Sequence, residues 1–421
     1  MALSHANPGG RKVRGVLLGP METAGYFARL RAGMRQEGVR TTYIDLENHP
    51  FAYLEAPTAS MPVRVARFAI QRARASSSTH SRTFWNLISF SARTALLVRA
   101  IATCDAFVFG SGQTLLGLRE LPLLRLLGKR VIVVFFGTDV RPSYLDGIEA
   151  GDPNATAQRL REATAAKRKR VRTVEQFASA IVSHSPTSQL LSRPFAEWLA
   201  IGIPTPYRPD TQGVDPSGRG PLRVLHAPSH ARAKGTDVVR SAVERAIADG
   251  VGIDYREVQN ASNDSVREQL AWCDVVVDQL YSDTPMGVLG SEAAAAGRAC
   301  IVGSLDWVSI LDALPPDAVP PSIRIHPDAL EETLRAIAAD RVVAAEVGSR
   351  ALAYVRERWS PQAVARRFLA LASDSAEGGW FTDPNTIRYR SGAGLSGDRL
   401  AEVRAAMSRP DPTSAHSGRV P

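Results

Sequence analysis

His226-Ala-Pro-Ser229-His230-Ala-Arg232-Ala-Lys234-Gly235-Thr236 is the stretch on which the fold turns. It leaves an apolar run ending at Val224 and Leu225. It then enters an amphipathic pattern in which Val239, Ala242, Val243, Ala246 and Ile247 recur at helical spacing until Gly250. A strand, a short cationic loop and a helix start together make a place to hold a phosphate, because the first amides of a helix are unpaired and carry partial positive charge. Lys234 adds a mobile full charge, and Gly235 lets backbone approach a ligand without a Cβ in the way. An ordinary strand-to-helix turn with a solvated lysine accounts for the same residues, so the flanking sequence has to decide.

Downstream, the pattern predicts a strand over 255–258 and a helix opened by the capping-box signal Ser265-Val-Arg-Glu268 and closing near Trp272. Val275-Val-Val277 reads as a buried strand, followed by a loop over 278–289, a helix starting near Ser291-Glu292 and a strand over 299–302. Strands alternating with helices at this pitch mean a parallel sheet, with ligands at the carboxyl ends of its strands. The loops at 226–236 and 278–292 both lie at such ends and can face one crevice. Upstream, strands are expected over 13–18, 41–45, 106–109, 131–135 and 180–182. A helix over 26–38 carries Phe27, Leu30 and Met34 on its apolar face.

The 421 residues suffice for two domains, each with its own core. The predicted division is 1–202, a Pro-, Gly- and Asp-rich linker over 203–221, 222–371, and an extension over 372–421. The composition of 391–421 reads as a loosely ordered tail around one helix over 397–407. No apolar run is long enough to span a bilayer, and residues 1–14 lack a signal-peptide core. Cys104, Cys273 and Cys300 are isolated and odd in number, which points to buried reduced thiols in a cytoplasmic protein and offers no zinc spacing. Asp-x-Asp does not occur, which argues against a metal-dependent transferase built on that motif; no metal and no cofactor is expected.

The formal charge is +9. Arg64, Arg67, Arg72, Arg74, Arg82, Arg93 and Arg99 fall in a stretch without an acid from Pro57 to Thr103, interleaved with Phe68, Phe84, Trp85 and Phe90. Basic amphipathic helices with aromatics suit an anionic membrane surface, here through residues 61–100 at the inner face of the membrane. A core-facing apolar stripe with solvated arginines fits the same residues. The Lys167-Arg-Lys-Arg170 cluster reads as a solvated helix face; nothing accompanies it that would read nucleic acid.

With these residues assembled, 226–236 followed by Asp274-Val-Val-Val-Asp278-Gln279 and Gly287-Val-Leu-Gly-Ser-Glu292-Ala-Ala-Ala-Ala-Gly297 resembles the donor-binding half of GT-B glycosyltransferases, most nearly the retaining, family 4 type. Val347-Gly-Ser-Arg350 and Tyr354-Val-Arg-Glu-Arg-Trp359-Ser360 resemble that family's late helices. Gly19-Pro-Met-Glu-Thr-Ala-Gly25-Tyr26 resembles its first strand-to-helix loop, and Phe136-Gly137-Thr138-Asp139-Val140-Arg141 resembles a strand end of its first half. The resemblance spans most of 12–370. It implies an α/β, GT-B architecture: two Rossmann-like, doubly wound parallel-sheet domains facing a cleft, with a last helix, begun at Ser360-Pro361, crossing back to the first domain. The implied activity is transfer of a sugar from a nucleoside-diphosphate-sugar to a hydroxyl acceptor, lipid-linked acceptors included.

Residue roles follow from that resemblance. Lys234 and Arg232 are the expected catalytic cations on the leaving diphosphate; Gly235 and Thr236 complete the anion cradle, and Gly25 brings the first loop's backbone to the donor. Glu292 corresponds to the second acid of a pair that holds the donor ribose, a role suited to a carboxylate accepting from vicinal hydroxyls. The same residue suits a helix start without any ligand. The first acid of the pair is absent: Thr284 stands at its position, Asp283 next to it is the candidate to reach the same sugar hydroxyls, and the Met286, Gly287 and Val288 amides are candidates to bind sugar or phosphate. On the acceptor side the candidates are Phe136, Asp139, Arg141 and His184. Phe136 stands where the family commonly has histidine and cannot exchange a proton. Asp139 and Arg141 read equally as a mutual salt bridge, and His184 as a hydrogen-bonded structural residue. His230 is a further loop donor. Thr284 and Phe136 also motivate a different class, a catalytically silent scaffold acting as a partner subunit. A nucleotide-sugar epimerase on the same fold would need acid/base carboxylates and a histidine facing the sugar, which the sequence does not place.

Overall fold

A computed structural model describes residues 13–47, 60–209, 211, 213–215, 217, 220–259 and 261–408. The polar start at 1–12, part of the 203–221 stretch and residues 409–421 of the expected tail lie outside these. Two sheets organise the chain. The first runs in the order β12-β6-β5-β4-β3-β1-β2, from β1 (Gly15–Gly19), β2 (Arg40–Tyr43), β3 (Ala106–Gly110), β4 (Arg130–Val134), β5 (Ala180–Ser183), β6 (Phe195–Glu197) and β12 (Phe381–Thr382). The second runs β11-β10-β9-β7-β8, from β7 (Leu222–His226), β8 (Ile253–Glu257), β9 (Val275–Val277), β10 (Ala299–Gly303) and β11 (Ile323–Ile325). All pairings are parallel except β12 with β6. The central strands are short apolar runs buried along their length, as strands covered by helices on both faces must be.

In each sheet the strand order reverses once: between β1 and β3 in the first, and between β7 and β9 in the second. Loops leaving the carboxyl ends on either side of such a reversal diverge and open a crevice.

Helix α1 (Tyr26–Gln36) follows β1, and the helix Pro361–Ala372 returns from the second half to pack along it. Gly33 permits this approach, since a Cβ there would overlap the Pro361 carbonyl. Trp359, fully buried, donates from its indole to the Leu199 carbonyl at 3.1 Å, and the Tyr26 hydroxyl donates to the Gly202 carbonyl at 3.0 Å. One apolar cluster therefore runs from the first sheet through Trp359 and Phe368 to Met286 and Ala294 of the second half, while Val224, Val275 and Ile301 belong to a separate cluster within the second.

Two expectations differ from what is found. The helix predicted to open at Ser265 begins earlier, at Asn263, because Ser262 is the cap: its hydroxyl accepts from the Ser265 amide at 3.3 Å. The region after 372 is packed through 408. Strand β12 closes the edge of the first sheet on β6, and Leu395, Leu400 and Val403 around the helix Gly397–Ser408 are buried against Leu145, Ala150 and Leu160. Its large apolar residues are few, but Ile387, Tyr389, Leu395, Leu400 and Val403 are buried, which composition averaged over the segment conceals.

The basic stretch forms a helical hairpin, α2 (Met61–Ala75) and α3 (Thr79–Thr103). Small residues, Ala66, Ala69 and Ala73, are buried and let the helices close on each other, while Met61, Phe84, Leu87 and Val98 are exposed. Among the described residues no helix is long and apolar enough to cross a membrane.

Candidate functional site

The loop after β7 is built around His226. Its Nδ1 lies 2.8 Å from the Val277 carbonyl, which can only accept, so Nδ1 carries the proton and Nε2 accepts from the Thr236 hydroxyl at 2.9 Å. Burial lowers the pKa of this imidazole and keeps it neutral. The ring thus ties the ends of β7 and β9 to the start of the helix Thr236–Ala248. A short helical turn, Ala231–Lys234, leads into that helix through Gly235, whose φ of +75° is left-handed and natural for glycine.

Lys234 leaves this turn toward β9. Its Nζ donates to Asp278 Oδ1 at 2.7 Å, and its carbonyl accepts from the Leu280 amide at 3.1 Å. Asp278 is buried, and its Oδ2 has no hydrogen-bond partner among the described residues. A Cβ on Gly287 would come within 3.3 Å of that oxygen, so glycine lets the helix Val288–Ala295 begin close to it. Glu292, in the second turn of that helix, accepts from Asn263 Nδ2 at 3.1 and 3.2 Å and forms a buried ion pair with Arg29 of α1.

These groups share one cavity of about 290 Å³. Ala227–Ser229 after β7, Val258 after β8 and Asp278 after β9 line it, as do Lys234, Asn263, Val288, Leu289 and Glu292, with Ala24 reaching in from the first half. It sits at the strand-order reversal of the second sheet. Lys234, Val288 and Glu292, named from sequence, meet there; Asn263, Asp278 and Arg29 were not anticipated. No local pattern marks them: Arg29 stands 263 residues from Glu292.

The other candidates lie elsewhere, each for an identifiable reason. Arg232 points away from Lys234, into a second cavity of about 280 Å³ on the far side of the loop, shared with Gly235, Thr236, Tyr281 and Arg399. The Thr236 hydroxyl is turned to His226. Gly25 does cap α1 with φ +77°, but Glu22 fills this helix start from within, its carboxylate accepting from the Thr23, Phe27 and Ala28 amides at 2.8, 3.1 and 2.9 Å. Burial nevertheless raises the Glu22 pKa, against those bonds and one from the Tyr43 hydroxyl. Met286 is fully buried and off the cavity.

Asp283 does not reach toward a sugar. Its carboxylate pairs with Arg141, which also donates to Asp146 at 2.9 Å, all three being buried. Arg141 therefore makes no bridge to Asp139. Asp139 instead accepts from the Phe136 amide at 2.8 Å, and burial raises its pKa. Phe136 packs edge-on to Tyr26, Phe27 and Trp198, with centroids 5.4, 6.2 and 6.4 Å away. His184 is held from both sides: Nδ1 lies 2.8 Å from Glu197 and Nε2 2.9 Å from the Asp283 carbonyl. Two acceptors require two donors, so the ring is an imidazolium. Burial opposes that charge, and the pull of Glu197 and Asp283 outweighs it, raising the pKa.

No cluster of histidine, cysteine and carboxylate able to hold a metal ion occurs among the described residues. Cys104, Cys273 and Cys300 are free and buried; burial pushes the Cys273 thiol up to about 12.

No family model matches the sequence, and no curated protein does. Solved structures do. HepE of Anabaena, in complex with UDP-glucose, aligns over 86% of this chain and 100% of its own at 11% identity and a TM-score of 0.50. The glycosyltransferase SnogD from Streptomyces nogalater aligns over 86% and 100% at 15% identity and a TM-score of 0.40. TarM of S. aureus, in complex with fondaparinux, α-GlcNAc-glycerol and UDP, aligns over 67% of this chain at 10% identity and a TM-score of 0.41, and the match spans 58% of the TarM chain. At such identities the likeness speaks to the fold. Together with the two largely parallel sheets of seven and five strands, the likeness to HepE gives the chain the GT-B fold.

Proposed function

We propose that this GT-B chain is a glycosyltransferase that moves a sugar from a nucleoside-diphosphate-sugar to a hydroxyl acceptor, with the donor in the 290 Å³ cavity. The observation carrying this reading is the meeting of Lys234, Asn263, Glu292 and the start of the Val288–Ala295 helix in one crevice at a strand-order reversal. An ammonium has three donors and Asp278 uses one, leaving Lys234 able to bind diphosphate oxygens while Asp278 aims it. The helix start adds amides suited to the same anion. Arg29 and Asn263 hold the Glu292 carboxylate still, and its remaining lone pairs suit ribose hydroxyls.

Retention of configuration fits this geometry. In that mechanism the leaving phosphate itself takes the acceptor's proton, so no protein base is required and Phe136 is compatible with activity. Lys234 would stabilise that departing charge. The family 4 type remains the nearest resemblance. A lipid-linked acceptor and peripheral contact with an anionic membrane through 61–100 are supported by the exposed Met61, Phe84, Leu87 and Val98 beside exposed Arg64, Arg72, Arg82 and Arg99.

A silent scaffold is favoured by one feature: the buried Arg29–Glu292 and Arg141–Asp283 pairs fasten the two halves across the cleft. Binding separates the two readings. The full chain is titrated without metal against UDP, GDP, ADP, CDP and TDP, with UDP-glucose, the ligand of HepE, as the first sugar donor. The transferase reading expects one nucleotide to raise the melting midpoint; at a hundredfold over its Kd the stabilisation is about 2.7 kcal/mol. It also expects donor hydrolysis above blank. Neither effect with any nucleotide leaves the scaffold.

A further inference from the structure

A larger cavity, about 460 Å³, opens at the strand-order reversal of the first sheet, roofed by α2 and α3. Polar and apolar residues share its walls, and three cations, Arg74, Arg82 and Arg93, face a single lining acid, Glu47, with Asn86 and Gln113 beside them. Arg74 is paired with Glu47. Arg93 spends only its Nε, on the Ser89 carbonyl at 3.3 Å, and the Arg82 guanidinium has no partner among the described residues. Ser89 also lines the cavity. It is 2% exposed, and among the described residues its hydroxyl has no hydrogen-bond partner. A buried hydroxyl left unsatisfied is destabilising.

We infer that this cavity binds a phosphate ester carried by the acceptor, held by Arg82 and Arg93. Guanidinium groups match phosphate oxygens in geometry and charge. The inference rests on the transferase reading and specifies its acceptor. The β1–α1 loop connects the two sites: Pro20 and Met21 line this cavity, and Ala24 lines the donor cavity. An acceptor anchored by its phosphate on one side of that loop can turn a hydroxyl toward the donor on the other. None of the acceptor-side candidates after β4 and β5, Phe136, Asp139, Arg141 and His184, lines it.

Glycerol 3-phosphate is titrated into the full chain by calorimetry, alongside Arg82→Gln, Arg93→Gln and, as a control on α2 outside the cavity, Arg64→Gln. Arg82 is exposed, so its variant tests the site even where Arg93→Gln fails to fold. The inference expects millimolar or tighter binding that weakens at least about tenfold in Arg82→Gln and Arg93→Gln and is unchanged in Arg64→Gln. Unchanged affinity in Arg82→Gln, or no binding by the wild type of either this ester or phosphatidylglycerol vesicles, overturns it. The vesicles assign the source. Vesicle binding that falls further with Arg82→Gln than with Arg64→Gln places the phosphate in a lipid headgroup, and loss confined to glycerol 3-phosphate places it in a free ester. An equal fall in both variants with no ester binding means surface attraction alone and overturns the inference. UDP affinity measured in parallel keeps the two readings apart. Lys234→Ala should lose UDP and keep the ester; ester binding by a wild type that binds no nucleotide fails the transferase reading alone.

Discussion

Lys234 neutralises a buried carboxylate as well as facing the cavity, so its removal has two effects. Lys234→Ala leaves Asp278, 1% exposed, without its counter-charge, and breaking a buried pair from one side costs about 3–5 kcal/mol. Urea unfolding should show that loss, and Lys234→Ala/Asp278→Asn should regain most of it without regaining nucleotide binding. A double variant that recovers both would show that the lysine never touched the donor. The two buried histidines set a second residue-scale expectation. His226, with its pKa lowered by burial, stays neutral while the unfolded chain takes a proton below its ordinary 6.5, so stability falls as pH drops through that value. His184 is raised, so its contribution is full below 6.5 and is lost as pH rises through its folded pKa. Unfolding midpoints measured against pH should therefore peak near 6.5, with His226→Gln flattening the acid limb and His184→Gln the alkaline one. Lys234 and Glu292 were legible in sequence because each sits at a fixed offset from a strand or helix start. Arg29, Asn263 and the Asp283–Arg141 pairing were not, since nothing local to a charged side chain says which distant partner the fold will bring.

Helices α1 and Pro361–Ala372 meet closely at Gly33. Gly33→Val would drive its side chain into the Pro361 backbone, which cannot move aside as a side-chain tip can. Overpacking of this kind costs about 1–3 kcal/mol or more, and here it should lower the melting midpoint and expose the returning helix to limited proteolysis. The hairpin α2–α3 should behave oppositely. Leu87→Gln and Phe84→Gln, at positions 64% and 56% exposed, should shift stability by no more than about 0.5 kcal/mol while weakening capture on anionic vesicles. Vesicle binding that survives both changes would remove the membrane from the account. Element types were readable because buried parallel strands are short apolar runs and the helices between them keep a 3.6-residue period. The boundary at Ser262 was misplaced by one turn because two serines three residues apart offer the same cap, and only the backbone path chooses between them.

Whole-molecule behaviour follows from how the halves are joined. The apolar cluster shared through Trp359 and Phe368, and the buried pairs Arg29–Glu292 and Arg141–Asp283, make the two sheets one thermodynamic body. Calorimetry should show a single unfolding transition, and Arg141→Met, which strands Asp283 and Asp146 without their cation, should lower or split it. Two well-separated transitions in the wild type would contradict this coupling. The architecture as a whole was legible from strand–helix alternation. The packing of 378–408 onto the first half was not, because polar, charged and small residues make up most of the segment while a handful of large apolar residues decide its position.

That last segment has a consequence in time. Strand β6 pairs with β12, so the edge of the first sheet is completed by residues translated after the whole of the second sheet. At about 5–20 residues per second, a ribosome needs on the order of ten seconds or more to deliver β12 after β6 has emerged. Throughout that interval the nascent first half carries an open edge, the kind of surface that recruits stray strands. During synthesis the chain is therefore most vulnerable in the half it makes first, and the final residues act as a late seal on it.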